Sequence, residues 1–147
     1  MVIEIFPNYR LAYIRRTGKY GIENKEIMEK IKNWAKGKQI FNDDTIIFSI
    51  MQDNPENIPP EKCRYDAGII IPQNFELDKN VEECEFIGGK YMVFKIIHTK
   101  EEIQKAYMEI FPKIVNEGYK IVEKPIIERY SVKMVEEGFC EICIPIE

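Results

Sequence analysis

The order of elements along the chain constrains the fold most, because it runs strand, helix, strand, strand and then does so again. Residues 9–17, YRLAYIRRT, alternate in polarity and are rich in β-formers. Gly18 and Gly21 interrupt that pattern. Ile27, Ile31 and Trp34, with Met28 and Ala35, then form an apolar stripe that predicts a helix over 24–36, with Gly37 as its stop. TIIFSIM (45–51) and RYDAGIIIP (64–72) read as strands on either side of a loop containing Pro55, Pro59 and Pro60.

From about Glu83 the order recurs. EFIGGKYMVFKIIHT predicts a strand pair about Gly88 and Gly89. Thr99 with Glu102 three residues on has the spacing of a capping box. The helix that follows runs to about Asn116 and presents Ile103, Tyr107, Ile110 and Ile114 on one face. Pro112 inside it is expected to kink or split it, and Gly118 to end it. PIIERYSVKM (125–134) and GFCEICIPI (138–146) are the last two strands. The expectation is one α+β domain over residues 1–147, with repeat 1 at about 1–75 and repeat 2 at about 83–147. Two pseudo-symmetric strand-helix-strand-strand units would share an antiparallel sheet, with a cleft at their junction.

Charge and composition narrow the function classes. A chain of 147 residues with net charge −4 and no basic stripe is poorly suited to a phosphate backbone, so no direct nucleic-acid binding is expected. No apolar run approaches the roughly 20 residues of a membrane span. The first ten residues, MVIEIFPNYR, lack the pattern of a secretory signal, so the reading is cytoplasmic with no membrane association. Among the four cysteines, Cys140 and Cys143 have C-x-x-C spacing, but they lie in a predicted strand, where residues i and i+3 point to opposite faces. They read as reduced core cysteines alongside Cys63 and Cys84. The single histidine, His98, reads as a strand-end residue, and neither a metal site nor a cofactor is expected.

Alternation in PIIERYSV places Ile126, Glu128, Tyr130 and Val132 on one strand face and Ile127, Arg129 and Ser131 on the other. Glu128 therefore shares a face with large apolar and aromatic groups. It is either a strand-edge residue in water or a buried acid that needs a cationic or hydrogen-bonding partner. Asp66 and Glu141 raise the same question on the third strand of each unit. Asp66 shares a face with Arg64, which predicts a local charge pair, whereas Glu141 alternates with Phe139 and Cys143. Trp34 reads first as core packing and second as a ligand-stacking group. Tyr13, Tyr65, Tyr91 and Tyr130 are strand residues unless several share one wall.

Four blocks resemble a known family. YRLAYIRRTGKYG is similar to the opening strand and turn of the GyrI-like small-molecule-binding domain. NWAKGK with DNPENIPPEKCRYDAGI resembles that family's W-A and P-P-E-K-C-R-Y-D-A block. EIFPKIVNEGYKIVEKPIIERY and CEICIPI resemble its P-x-x-E-x-Y block and closing strand. Such domains are effector-binding modules of AraC-type and MerR-type regulators, and stand-alone relatives include DNA gyrase inhibitors. The resemblance implies the two-unit fold above and a cleft for lipophilic cations. The family's central glutamate falls on Glu128 and its tyrosine on Tyr130. Phe111 replaces a frequent Trp, Asn116-Glu117 replaces the serine before G-Y, and Gly68 replaces a cysteine.

Three functions follow as expectations. The first is a stand-alone multidrug-type binding module. Its ligand would be an aromatic or cationic small molecule, met by Glu128, Tyr130, Trp34, Tyr13, Phe111 and Glu141. The second is a hydrolase of reactive small molecules with Glu128 as catalytic acid or base. The third is a protein-interaction role of the gyrase-inhibitor type, with gyrase or a regulator as partner. Tyr65 and Asp66 are expected to fix the loop and domain junction rather than touch a ligand.

Overall fold

In the computed structural model, which describes residues 1–147, eight strands form one antiparallel sheet carrying two long helices and one short one. The first half contains β1 (Val2–Phe6), β2 (Tyr9–Thr17), α1 (Asn24–Gly37), β3 (Ile46–Met51) and β4 (Arg64–Ile71). The second contains β5 (Glu82–Phe86), β6 (Gly89–Ile97), α2 (Lys100–Asn116), β7 (Ile126–Ser131), α3 (Val132–Glu136) and β8 (Phe139–Pro145). The strand order is β1-β6-β8-β7-β3-β4-β2-β5, and exchanging β1–β4 with β5–β8 simply reverses it. The halves meet where β3 pairs with β7, from Ile46 opposite Ser131 to Met51 opposite Ile126.

One sheet face carries the helices. Ile27, Ile31 and Ala35 of α1 pack on Ala12, Ile47, Tyr65, Ala67 and Ile69. Ala106, Ile110 and Ile114 of α2 pack on Met92, Phe94, Ile142 and Ile144. The other face is closed by the sheet's own margins. Phe6 and Phe86, on the two outermost strands, lie 6.3 Å apart by ring centroid, and Phe48 of central β3 lies 6.1 and 5.1 Å from them. Leu11, Tyr91, Val93 and Ile127 complete that cluster. Each fully buried side chain of this size contributes roughly 1.5–3 kcal/mol, so the aromatic cluster holds the curled sheet together.

Several local expectations are corrected. β5 and β6 do not pair with each other; β5 pairs with β2 and β6 with β1, so each half lends its leading strand to the other. α2 runs unbroken through Pro112. The carbonyl that the proline leaves without a donor belongs to Met108, which is 80% exposed and can turn to water. Val132 and its neighbours form a helical turn, because the Ser131 side chain accepts from the Met134 N–H and caps it. Gly37 ends within α1, and it is Gln39 that takes the left-handed conformation. Asp66 bonds Arg15 at 2.7 and 2.9 Å, while Arg64 turns to Asp53.

The turns that follow β1 and β5 meet at Gly88, whose N–H donates to Asn8 Oδ1 at 2.7 Å. A Cβ there would stand 2.0 Å from the Phe6 carbonyl oxygen. Gly88→Ala should therefore destabilise the fold by about 3 kcal/mol, by forcing β1 and β5 apart; urea unfolding monitored by circular dichroism measures it.

Candidate functional site

α1 and α2 cover opposite halves of the same sheet face, and a cleft opens between them over the central strands β3 and β7. The resulting cleft has a volume of about 2000 Å³, larger than the roughly 300–1,000 Å³ that encloses a drug-sized ligand. Met28, Lys32 and Phe41 line one side and Ile103, Tyr107 and Phe111 the other. The floor is Ile47, Ser49, Met51, Tyr65, Ile126, Glu128 and Tyr130. Much of it is apolar, which suits a lipophilic guest.

Glu128 sits at the centre of that floor, half-buried and directly opposite Ser49 across the β3–β7 register. Tyr107 Oη donates to its Oε2 at 2.5 Å and Tyr130 Oη donates to its Oε1 at 2.5 Å. One phenol comes from α2. The other comes from the same strand two residues on, where alternation returns the side chain to the same face. Both phenols are pushed well above the ordinary tyrosine range, first by burial and then by the Glu128 charge and its hydrogen bond. They remain donors at any physiological pH. Glu128 takes part in none of the protein's ion pairs. His98 lies at the rim with its ring 5.3 Å from that of Tyr130. Burial and the nearby Lys32 lower its pKa, against an opposing pull from Glu128.

The other carboxylates raised by the sequence lie on the far face. Glu141 accepts from Arg129 Nε at 2.8 Å, and Arg129 also reaches Glu4 at 2.8 Å while lying 4.9 Å from the Phe6 ring centroid. Asp66 is held by Arg15 and Gln52. These acids are buried but neutralised, and neither lines the cleft. Tyr13 also faces away, with the Arg15 guanidinium 5.5 Å from its ring centroid. Trp34 projects from α1 toward the segment after β4, where its indole donates to Asp78 at 3.2 Å and its ring meets Phe75 edge-on. Of the candidate residues, Glu128, Tyr130 and Phe111 line the cleft.

Tyr107 was visible only as part of an apolar helical stripe. The signal that marks it is a phenol among isoleucines, a polar tip on a buried face that requires a partner. Ser49 carried no such signal, and Tyr65, expected to fix the domain junction rather than touch a ligand, instead lines the cleft, because its meeting with Ser49 depends on the β3–β4 register.

An open, largely apolar cleft with a carboxylate held by two phenols at the centre of its floor, set in an antiparallel α+β domain, defines a small-molecule-binding module. The chain belongs to the GyrI-like small molecule binding domain family, whose model matches residues 1–147. It is 38% identical over 148 residues to the SPbeta prophage-derived protein YosT of Bacillus subtilis (strain 168), spanning 100% of this chain and 99% of that one. A DNA gyrase inhibitor of Citrobacter koseri is 28% identical over 122 residues, 80% of this chain and 77% of that protein. Among solved structures, SAV2435 bound to tetraphenylphosphonium superposes with a TM-score of 0.63 at 15% identity, covering 99% of this chain and 93% of that one. At that identity the likeness is one of fold.

Two outcomes test the site's electrostatics. Tyr107→Phe should leave the rise in 295 nm absorbance through the ordinary tyrosine range near pH 10 unchanged, because burial and Glu128 hold the Tyr107 phenol well above it; a smaller rise there would contradict the assignment. Arg129→Leu should destabilise the fold by about 3 kcal/mol, since it leaves the buried Glu141 without its cation. Denaturant unfolding reads that loss.

Proposed function

We propose that this protein captures lipophilic cationic small molecules in the cleft between α1 and α2, with Glu128 meeting the positive charge. The observation that carries the reading is the state of Glu128. The other buried acids, Asp66 and Glu141, each have an arginine, whereas Glu128 has two phenol donors and no cation. A half-buried carboxylate oriented on both oxygens and lacking a counter-ion is a preorganised receptor for one. The surrounding Phe111, Tyr107 and Tyr130 rings would provide apolar area and cation–π contact worth roughly 0.5–2 kcal/mol. Tetraphenylphosphonium, the guest of a structural neighbour, has the required chemistry: one delocalised positive charge inside an apolar shell.

A hydrolytic role for Glu128 would use the lone pair that each oxygen keeps beside its phenol hydrogen bond, and recovery of a changed compound would favour it.

The test compares tetraphenylphosphonium with the neutral triphenylphosphine oxide by isothermal titration calorimetry. Calorimetry is preferable to tryptophan fluorescence because Trp34 lies outside the cleft. Glu128→Gln should weaken the phosphonium roughly thirtyfold, the size expected when a partly desolvated charge pair is lost, and leave the neutral compound within about twofold. Equal loss for both compounds would remove the charge role. Recovery of each compound unchanged by mass spectrometry is expected.

A further inference from the structure

Resting on the cation reading, one feature of the floor specifies the ligand class further. The cleft floor has two polar groups, and they differ in sign of hydrogen bonding. Glu128 is an acceptor whose two oxygens are each met by a phenol. Directly across the strand pair, Ser49 Oγ and Tyr65 Oη lie 2.6 Å apart, and both residues line the cleft. Ser49 is 1% and Tyr65 5% exposed, so this is a built, buried pair rather than a surface contact.

Two hydroxyls carry two protons, and their mutual bond uses one of them whichever atom donates. The second proton finds no acceptor in the protein. Burial pushes the Tyr65 phenol up to about 12, so that proton is retained under all physiological conditions. Each hydroxyl has the other as its partner, so neither is orphaned, and the second proton is free for a ligand's acceptor. Residues directly opposite in an antiparallel pair stand about 5 Å apart, so the spare donor lies within one small molecule's reach of Glu128.

We infer that the Ser49–Tyr65 pair is a second ligand anchor, which selects lipophilic cations bearing a hydrogen-bond acceptor, such as an ether, ester or carbonyl oxygen, a few ångströms from the positive centre. Glu128 fixes the charge and the hydroxyl pair orients the molecule. The floor is thereby polarised from β7 to β3, although the two strands occupy equivalent places in the strand order. A purely hydrocarbon cation would fill only one of the two polar sites.

Two matched probes test this: (2-methoxyethyl)triphenylphosphonium and its carbon isostere butyltriphenylphosphonium. The unmodified protein should prefer the methoxy compound about three- to tenfold, the range of one neutral hydrogen bond. The combined Ser49→Ala, Tyr65→Phe variant should lose that preference and keep its affinity for the butyl compound. Removing both hydroxyls leaves no orphaned group and should preserve folding. The single variants report which hydroxyl donates, since each retains one. Glu128→Gln should weaken both probes alike. An undiminished preference in the double variant, with Glu128→Gln still weakening both probes, would overturn this inference alone. No effect of Glu128→Gln on either probe would overturn the cation reading, and this inference with it.

Discussion

Ser49 faces Glu128 because β3 and β7 pair antiparallel at the middle of the sheet, and the cleft is a consequence of that pairing. α1 packs mainly over β2 and β4 and α2 over β6, so the cleft opens over the two strands at the joint. Their cleft-facing residues become the floor by default. The curl that keeps α1 and α2 apart is enforced on the far face, where the outer strands close over Phe48 through Phe6 and Phe86. Exchange of β1 and β5 between the halves makes this closure possible. The cleft and the aromatic cluster are thus two faces of one arrangement.

Charge is treated differently on those faces. On the closed face Arg129 and Arg15 neutralise Glu141 and Asp66 within the protein, at N–O distances of 2.7 to 2.9 Å. On the open face Glu128 has only neutral donors. β7 carries both situations on adjacent residues, since Glu128 and Arg129 point to opposite sides. Had Arg129 shared the cleft face, the carboxylate would already have a counter-ion. Strand alternation alone keeps the acid without a protein cation and the arginine in the structural network.

The long elements were legible in the sequence because period-2 and period-3.6 patterns survive wherever one face is buried. β2, α1, β4 and α2 fall close to where alternation and the Ile27–Ile31 and Ile110–Ile114 spacings put them. β1 was missed because it is a short edge strand whose Val2, Ile3 and Ile5 are exposed, which removes the alternation that marks a strand. Val132 to Met134, the start of α3, were read as strand because Val132 is a β-former that continues the alternation of β7, and the Ser131 cap decides otherwise. The candidate site divides on the same physical ground. Glu128 and Tyr130 share a strand, so two-residue spacing was enough to join them. Tyr107 and the Ser49–Tyr65 pair come from other elements, and only sheet register and helix placement bring them to the floor. Trp34 lies on the predicted stripe, yet helix rotation turns it toward Asp78. A stripe states which side of a helix is apolar but not which of its members reach a cleft.

The central claim is that the Glu128 carboxylate receives a cation in the cleft. A crystal structure of the protein with tetraphenylphosphonium tests it most directly. The account predicts the phosphonium between α1 and α2, with Glu128 its nearest charged side chain and Tyr107 and Tyr130 still hydrogen-bonded to that carboxylate. A phosphonium bound elsewhere, against Trp34 or on the exposed face of β1, with the cleft empty, would contradict it.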